Sequence, residues 1–119
     1  MKPLSREVVI KELLGKPLKV PALLQKEEPA GEWIVIEKNE TARIKIIKDS
    51  KGNESIPAFT DDEFFQRWMP SGGYYEAFYG RDLFSICVIN NMKSIIVNPG
   101  STSSIEIPLE EIKAILDRN

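Results

Sequence analysis

Three consecutive carboxylates, Asp61-Asp62-Glu63, are the densest acid–base or divalent-metal chemistry in this sequence. Paired carboxylates can exchange a proton with a substrate or hold a hard cation. Thr60 stands three residues before Glu63, which is capping-box spacing. The Thr60 hydroxyl is therefore expected to accept from the Glu63 amide, and the Glu63 carboxylate to reach back to the Thr60 amide. Asp61 and Asp62 then suit the positive end of a helix, as do Glu110 and Glu111 in the first turn of a last helix. The single cysteine, Cys87, lies between Ile86 and Val88, with no basic residue nearer than Arg81 and Lys93. That is the setting of a buried, inert thiol rather than of a nucleophile. One cysteine allows neither an intrachain disulfide nor a thiolate zinc cluster, and it fits a reducing compartment. With no histidine in the chain, His-based triads, Cys-His dyads, His-ligated zinc and a His proton shuttle are excluded together.

Two further groups could bind rather than react. Asn98-Pro99-Gly100-Ser101-Thr102-Ser103-Ser104 is a glycine- and hydroxyl-rich loop of the kind that can cradle an anion. It lacks the lysine and the glycine spacing of a P-loop, and turn chemistry accounts for it. Its first four residues, Asn98, Pro99, Gly100 and Ser101, form the candidate ligand loop, with Arg81 or a nearby acid as helper. Between Lys38 and Lys51 five basic residues (Lys38, Arg43, Lys45, Lys48, Lys51) face two acidic ones. Arg43 and Lys45 alternate with Ile44 and Ile46, which is the pattern of a solvated sheet face. A net charge of −2 argues against a dedicated nucleic-acid binder.

The aromatic residues are distributed unevenly. Nine of the ten lie between Phe59 and Phe84, and only Trp33 stands apart. Phe64 and Phe65 are adjacent on an expected helix, and Tyr74 and Tyr75 follow the Gly72-Gly73 break. Adjacent residues on a regular element cannot both point into one core. Some aromatic surface is therefore expected to remain open or to be covered by another chain. Trp and Tyr are favoured anchors of protein interfaces. Trp68, Tyr74, Tyr75, Phe78 and Tyr79 are the candidate partner-binding residues.

The elements that must position these groups follow from periodicity and punctuation. Ser5 can cap a first helix whose stripe is Val9, Ile10, Leu13 and Leu14, and Gly15 with Pro17 stops it. Leu18 to Gln25 reads as a strand, placed at an edge because Pro21 cannot donate to a ladder. A polar loop, Lys26 to Glu32, separates it from the strand Trp33–Ile36, and a turn at Glu37 to Glu40 leads to the alternating strand Thr41–Lys48. The turn Asp49–Glu54 leads to a strand Ser55–Phe59, and this stretch reads as an antiparallel meander. A helix over Phe64–Met69 ends at Pro70-Ser71-Gly72-Gly73, and Tyr74–Gly80 has no clear pattern. Arg81–Asn91 is apolar enough for a buried strand or a buried helix. Its length, and the ability of Asn90 and Asn91 to end a helix in a left-handed conformation, favour the helix. Strands at Ser94–Asn98 and Ser104–Ile107 precede a last helix with Leu109, Ile112, Ile115 and Leu116 on one face.

Three of these stretches, in order, resemble the N-terminal domain of the SseB family, named for enhanced serine sensitivity in bacteria. They are Ile56-Pro57-Ala58-Phe59-Thr60-Asp61-Asp62-Glu63 followed by Trp68; Gly80-Arg81-Asp82-Leu83-Phe84; and Ile96-Val97-Asn98-Pro99-Gly100-Ser101, continuing to Ile105-Glu106-Ile107-Pro108 and the helix after it. The resemblance implies a bacterial, cytoplasmic α+β domain and carries no agreed catalytic residues. Family members often have a second, C-terminal domain.

The resulting expectation is a single α+β domain over residues 1–119, a mostly antiparallel sheet flanked by N-terminal, central and C-terminal helices. A chain of 119 residues can bury a core without metal or disulfides. No segment reads as a signal peptide or a membrane span. The expected role is a non-enzymatic interaction or regulatory module in the cytoplasm, without cofactor, metal or catalytic residues. Its expected partner is another protein or a second copy, not a membrane and not nucleic acid. The alternative is a small-ligand binder or weak enzyme using the Asn98–Ser104 loop.

Overall fold

The computed structural model describes residues 6–23, 33–37, 41–70 and 73–118. The expected Ser5 cap, the Lys26–Glu32 loop and most of the Glu37–Glu40 turn lie outside them. The element order is α1 (Arg6–Leu13), β1 (Pro17–Leu23), β2 (Trp33–Glu37), β3 (Thr41–Lys45), β4 (Ile47–Lys48), β5 (Glu54–Ala58), α2 (Asp62–Trp68), β6 (Tyr74–Tyr79), α3 (Gly80–Ile89), β7 (Ser94–Val97), β8 (Ile105–Pro108) and α4 (Leu109–Arg118). The fold is α+β, with two four-stranded sheets ordered β2-β3-β1-β6 and β4-β5-β7-β8. Every pairing is antiparallel except β5 with β7.

The expected single strand Thr41–Lys48 is divided at Ile46 between the two sheets. The meander is therefore two hairpins in different sheets, β2–β3 and β4–β5. Ile44 and Ile46 still point into one core, so the alternation holds through the break. A bridge between Lys19 and Phe59, with hydrogen bonds in both directions at 2.8 Å, joins the sheets where β5 ends.

β1 is not an edge strand: β3 lies on one side and β6 on the other. Peptide groups alternate sides along a strand. The Lys19 amide and carbonyl face Phe59, so the nitrogens of Pro17 and Pro21 also face away from β6. Pro21 falls between the Lys19–Phe59 bridge and the Leu23–Arg43 pair, so the ladder to β6 loses no donor. Tyr74–Tyr79, read as irregular, is a regular strand paired with β1 over all six residues.

The aliphatic core lies between the sheets and helices α1, α3 and α4. Ile10, Leu18, Ile44, Leu83, Ile107 and Ile112 are among its fully buried members. Helix α3 forms as the length argument expects, and Asn91 beyond its end has φ +52°. No side chain caps its start. Instead the Gly80 and Arg81 amides donate to the Lys16 and Leu14 carbonyls at 2.9 and 3.0 Å. The approach is so close that a Cβ on Gly80 would lie 1.8 Å from the Leu13 carbonyl oxygen. Only glycine fits there without moving backbone.

Candidate functional site

The aromatic residues form a second layer on the face of the β1–β6 sheet opposite the aliphatic core. Along β1, Leu18, Val20 and Ala22 face that core, so Lys19 and Pro21 face the layer. By register, Tyr75, Ala77 and Tyr79 of β6 share the Lys19 face, while Tyr74, Glu76 and Phe78 share the core face. Phe59 lies at the centre of the layer, fully buried. Its ring stands 5.6 Å from Phe65, edge to face, and 5.5 Å from Trp68. Phe65 continues edge to face with Tyr75 at 5.3 Å. These separations are those of favourable ring pairs. The Lys19 ammonium lies 5.6 Å from the Tyr75 ring centroid and 3.0 Å from an Asp62 oxygen. Its hydrogen bond to Asp62 holds it above the ordinary lysine value.

The carboxylates Asp61, Asp62 and Glu63 are structural. The cap of α2 is Asp61 rather than Thr60: Asp61 Oδ1 accepts from the Phe64 amide at 2.9 Å. The expected capping box therefore does not form. Thr60 is held elsewhere, its amide donating to Asn98 Oδ1 at 3.0 Å and its hydroxyl accepting from Asn98 Nδ2 at 3.1 Å. Asp62 pairs with Lys19, and Glu63 pairs with Arg67 one turn along α2. Cys87 is buried as expected, and burial pushes its thiol up to about 11.

Asn98, from the candidate ligand loop, is itself a buried fastening. It sits at φ +52°, donates its amide to the Ala58 carbonyl at 2.7 Å and grips Thr60 with its side chain. The next three residues behave differently. Pro99, Gly100 and Ser101 line one wall of a cleft of about 240 Å³, and Phe64, Arg67 and Trp68 of α2 line the other. Asn98 fixes that geometry, because it ties the loop to Thr60, the residue before the cap of α2. Arg67, not Arg81, supplies the charge at this cleft. The Ser101 hydroxyl is committed, donating to the Asn98 carbonyl at 2.9 Å and accepting from the Ser103 amide at 3.1 Å.

The five expected partner-binding residues separate. Tyr79 is 60% exposed and Tyr74 42% exposed, while Trp68 and Tyr75 are half-buried in the aromatic layer. Phe78 is corrected: it is buried in the aliphatic core, because alternation along β6 turns it to the face of Leu18 and Val20. Sequence reasoning missed Arg67 as a lip residue. Its spacing one residue before Trp68 was the available signal.

The three stretches that resemble the SseB domain each hold part of this geometry. The first supplies β5 and α2, the second the glycine seam of α3, and the third Asn98 and its loop. The profile of the SseB protein N-terminal domain matches residues 1–114. The chain belongs to the SseB family. No curated protein and no solved structure matches this SseB domain. Among the described residues, no helix is long and apolar enough to cross a membrane.

Proposed function

We propose that this SseB domain is a non-enzymatic protein-interaction module that works through β6 and the aromatic layer beside it. One observation carries the reading. Among the described residues β6 is paired only with β1, and this open edge carries the exposed rings of Tyr74 and Tyr79. An unprotected edge strand offers backbone donors and acceptors to an incoming strand, and alternate side chains then set specificity. Half-exposed tyrosines supply large contact area at small entropic loss.

The test is a comparison of Tyr74→Ala, Tyr79→Ala and Trp68→Ala with the parent chain, read by co-purification from the native cell with thermal unfolding as control. The reading expects a partner to be lost while Tyr74→Ala and Tyr79→Ala keep the melting temperature within a few degrees; the half-buried Trp68→Ala should lower it further. Retention of every partner by all three folded variants would end it.

The cleft favours a second reading, a small-ligand site on the Pro99–Ser101 loop. Its volume lies below the roughly 300–1,000 Å³ of ordinary ligand pockets, so it could hold only a small group, such as a planar anion against Trp68 and Arg67. Amide shifts at Gly100 and Ser101 during titration with small carboxylates and phosphate would support it. Unmoved amides there would remove it.

A further inference from the structure

We infer that the partner of β6 is a second copy of this chain, the two β6 strands pairing antiparallel about a two-fold axis at Ala77. This rests on the interaction reading above and names its occupant. Lys19 directs its peptide groups to Phe59, so the Lys19–Ala77 pair is one of the non-hydrogen-bonded pairs of β1 and β6. The Gly80 amide, which donates to Lys16, confirms the phase. The peptide groups of Tyr75, Ala77 and Tyr79 therefore face outward, away from β1. The three are spaced evenly around Ala77.

A two-fold axis through the sheet keeps each residue on its own face, so the axis must pass through a residue rather than between two. At Glu76 it would set two carboxylates directly opposite each other, which is destabilising. At Tyr75 or Tyr79 it would shorten the overlap. At Ala77 it uses all three outward residues: Ala77 meets Ala77 of the second copy, and Tyr75 meets Tyr79 on the same face. The smallest side chain of the strand then sits at the crowded axis, with an aromatic cross-strand pair on each side. Nothing in the strand opposes this approach. Tyr74–Tyr79 has no lysine, proline or glycine of the kind that guards natural edges. Its one charge, Glu76, is held by the Tyr74 hydroxyl at 2.6 Å. A net charge of −2 adds little repulsion between copies. Six residues per strand bury a small area, so the dimer belongs to the weak, concentration-dependent class.

The test is sedimentation equilibrium of the full chain over a wide concentration range, with two substitutions at the axis. Ala77→Glu places a carboxylate across from Lys19 within the chain's own sheet, but against its own copy at the axis. It is expected to keep the melting temperature and weaken dimerisation at least about tenfold, through like charges directly opposed. Ala77→Cys is expected to cross-link on mild oxidation, since directly opposite Cα atoms lie within disulfide reach. Tyr79→Cys is expected not to cross-link, because its copies would be four residues apart along the strand, about 14 Å. A chain that stays monomeric throughout, a dimer unaffected by Ala77→Glu, or cross-linking at Tyr79→Cys but not Ala77→Cys would each overturn the inference. A monomer that still loses a cellular partner on Ala77→Glu would leave the interaction reading standing. A monomer that loses none, with Tyr74→Ala, Tyr79→Ala and Trp68→Ala also keeping every partner, would end both.

Discussion

The two faces of the β1–β6 sheet are built from different chemistry and finished differently. One side is aliphatic and sealed: Leu18, Val20, Ile44 and Leu83 are all fully buried against α1, α3 and α4. The other is aromatic and ends in the open, running from buried Phe59 through Phe65 and Tyr75 to exposed Tyr79. The sealed side needs only volume and shape. The open side also holds a cation, Lys19, clamped between Asp62 and the Tyr75 ring. The contrast teaches that one sheet can be sealed on one face and left partly exposed on the other.

The contrast is broken most directly by truncation on the two sides. Leu83→Ala should cost about 4 kcal/mol, because a fully buried leucine loses its transfer energy and leaves a cavity its surroundings only partly refill. Tyr75→Ala, half-buried and beside the open rim, should cost no more than half of that. Equal losses in urea titrations would dissolve the distinction. Asn98→Ala should follow at about 2 kcal/mol. It strands the Thr60 amide and puts alanine at φ +52°, and the amide resonances of Gly100 and Ser101 should broaden as the cleft loosens.

Alkali should separate the two sides by pH. Burial raises Cys87 to about 11 in the folded chain from an ordinary 9.0. Its contribution is therefore complete below pH 9 and lost as pH rises towards 11. Lys19 is raised above 10.5 by Asp62, so its contribution is lost only at higher pH. Cys87→Ala should flatten the stability profile between pH 9 and 11, and Lys19→Met should flatten it beyond 10.5. Chemical denaturation across that range checks both. The smallest effect is expected from Tyr79→Ser, within about 0.5 kcal/mol of the parent, since the ring packs on little within its own chain.

Where burial is on one side, the sequence was readable. The stripe of α1, the apolar run of α3 and the amphipathic α4 all appear where periodicity puts them. β6 escaped because its large side chains fall on both faces and only Phe78 among them is buried. It thus reads as an unpatterned run, Tyr-Tyr-Glu-Ala-Phe-Tyr. Once it is a strand, parity alone assigns Phe78 inward and Tyr79 outward. Pro21 misled for a related reason. Which side its missing donor faces depends on pairing partners distant in sequence. Thr60 and Asp61 are both competent caps, and Asn98, brought in from the loop after β7, occupies Thr60 and leaves the cap to Asp61. The aromatic concentration did mark the layer that Phe59, Phe65, Trp68 and Tyr75 form. The cleft could not be read, because it is formed only when Asn98 ties the Pro99–Ser101 loop to α2.

The start of α3 has a kinetic consequence. Its first two amides are closed by carbonyls of Leu14 and Lys16, near the opposite end of the chain, at a contact admitting no side chain on Gly80. A helix nucleates from local turns, but this one gains its closing acceptors only after β1 has docked beside β6. Local propensity can therefore populate the middle of α3 early, while its first turn waits on a long loop closure and frays until that closure is made. The seam at Gly80 is then expected to close late, and the rate at which the domain locks should follow how fast the Leu14–Lys16 segment meets the start of α3.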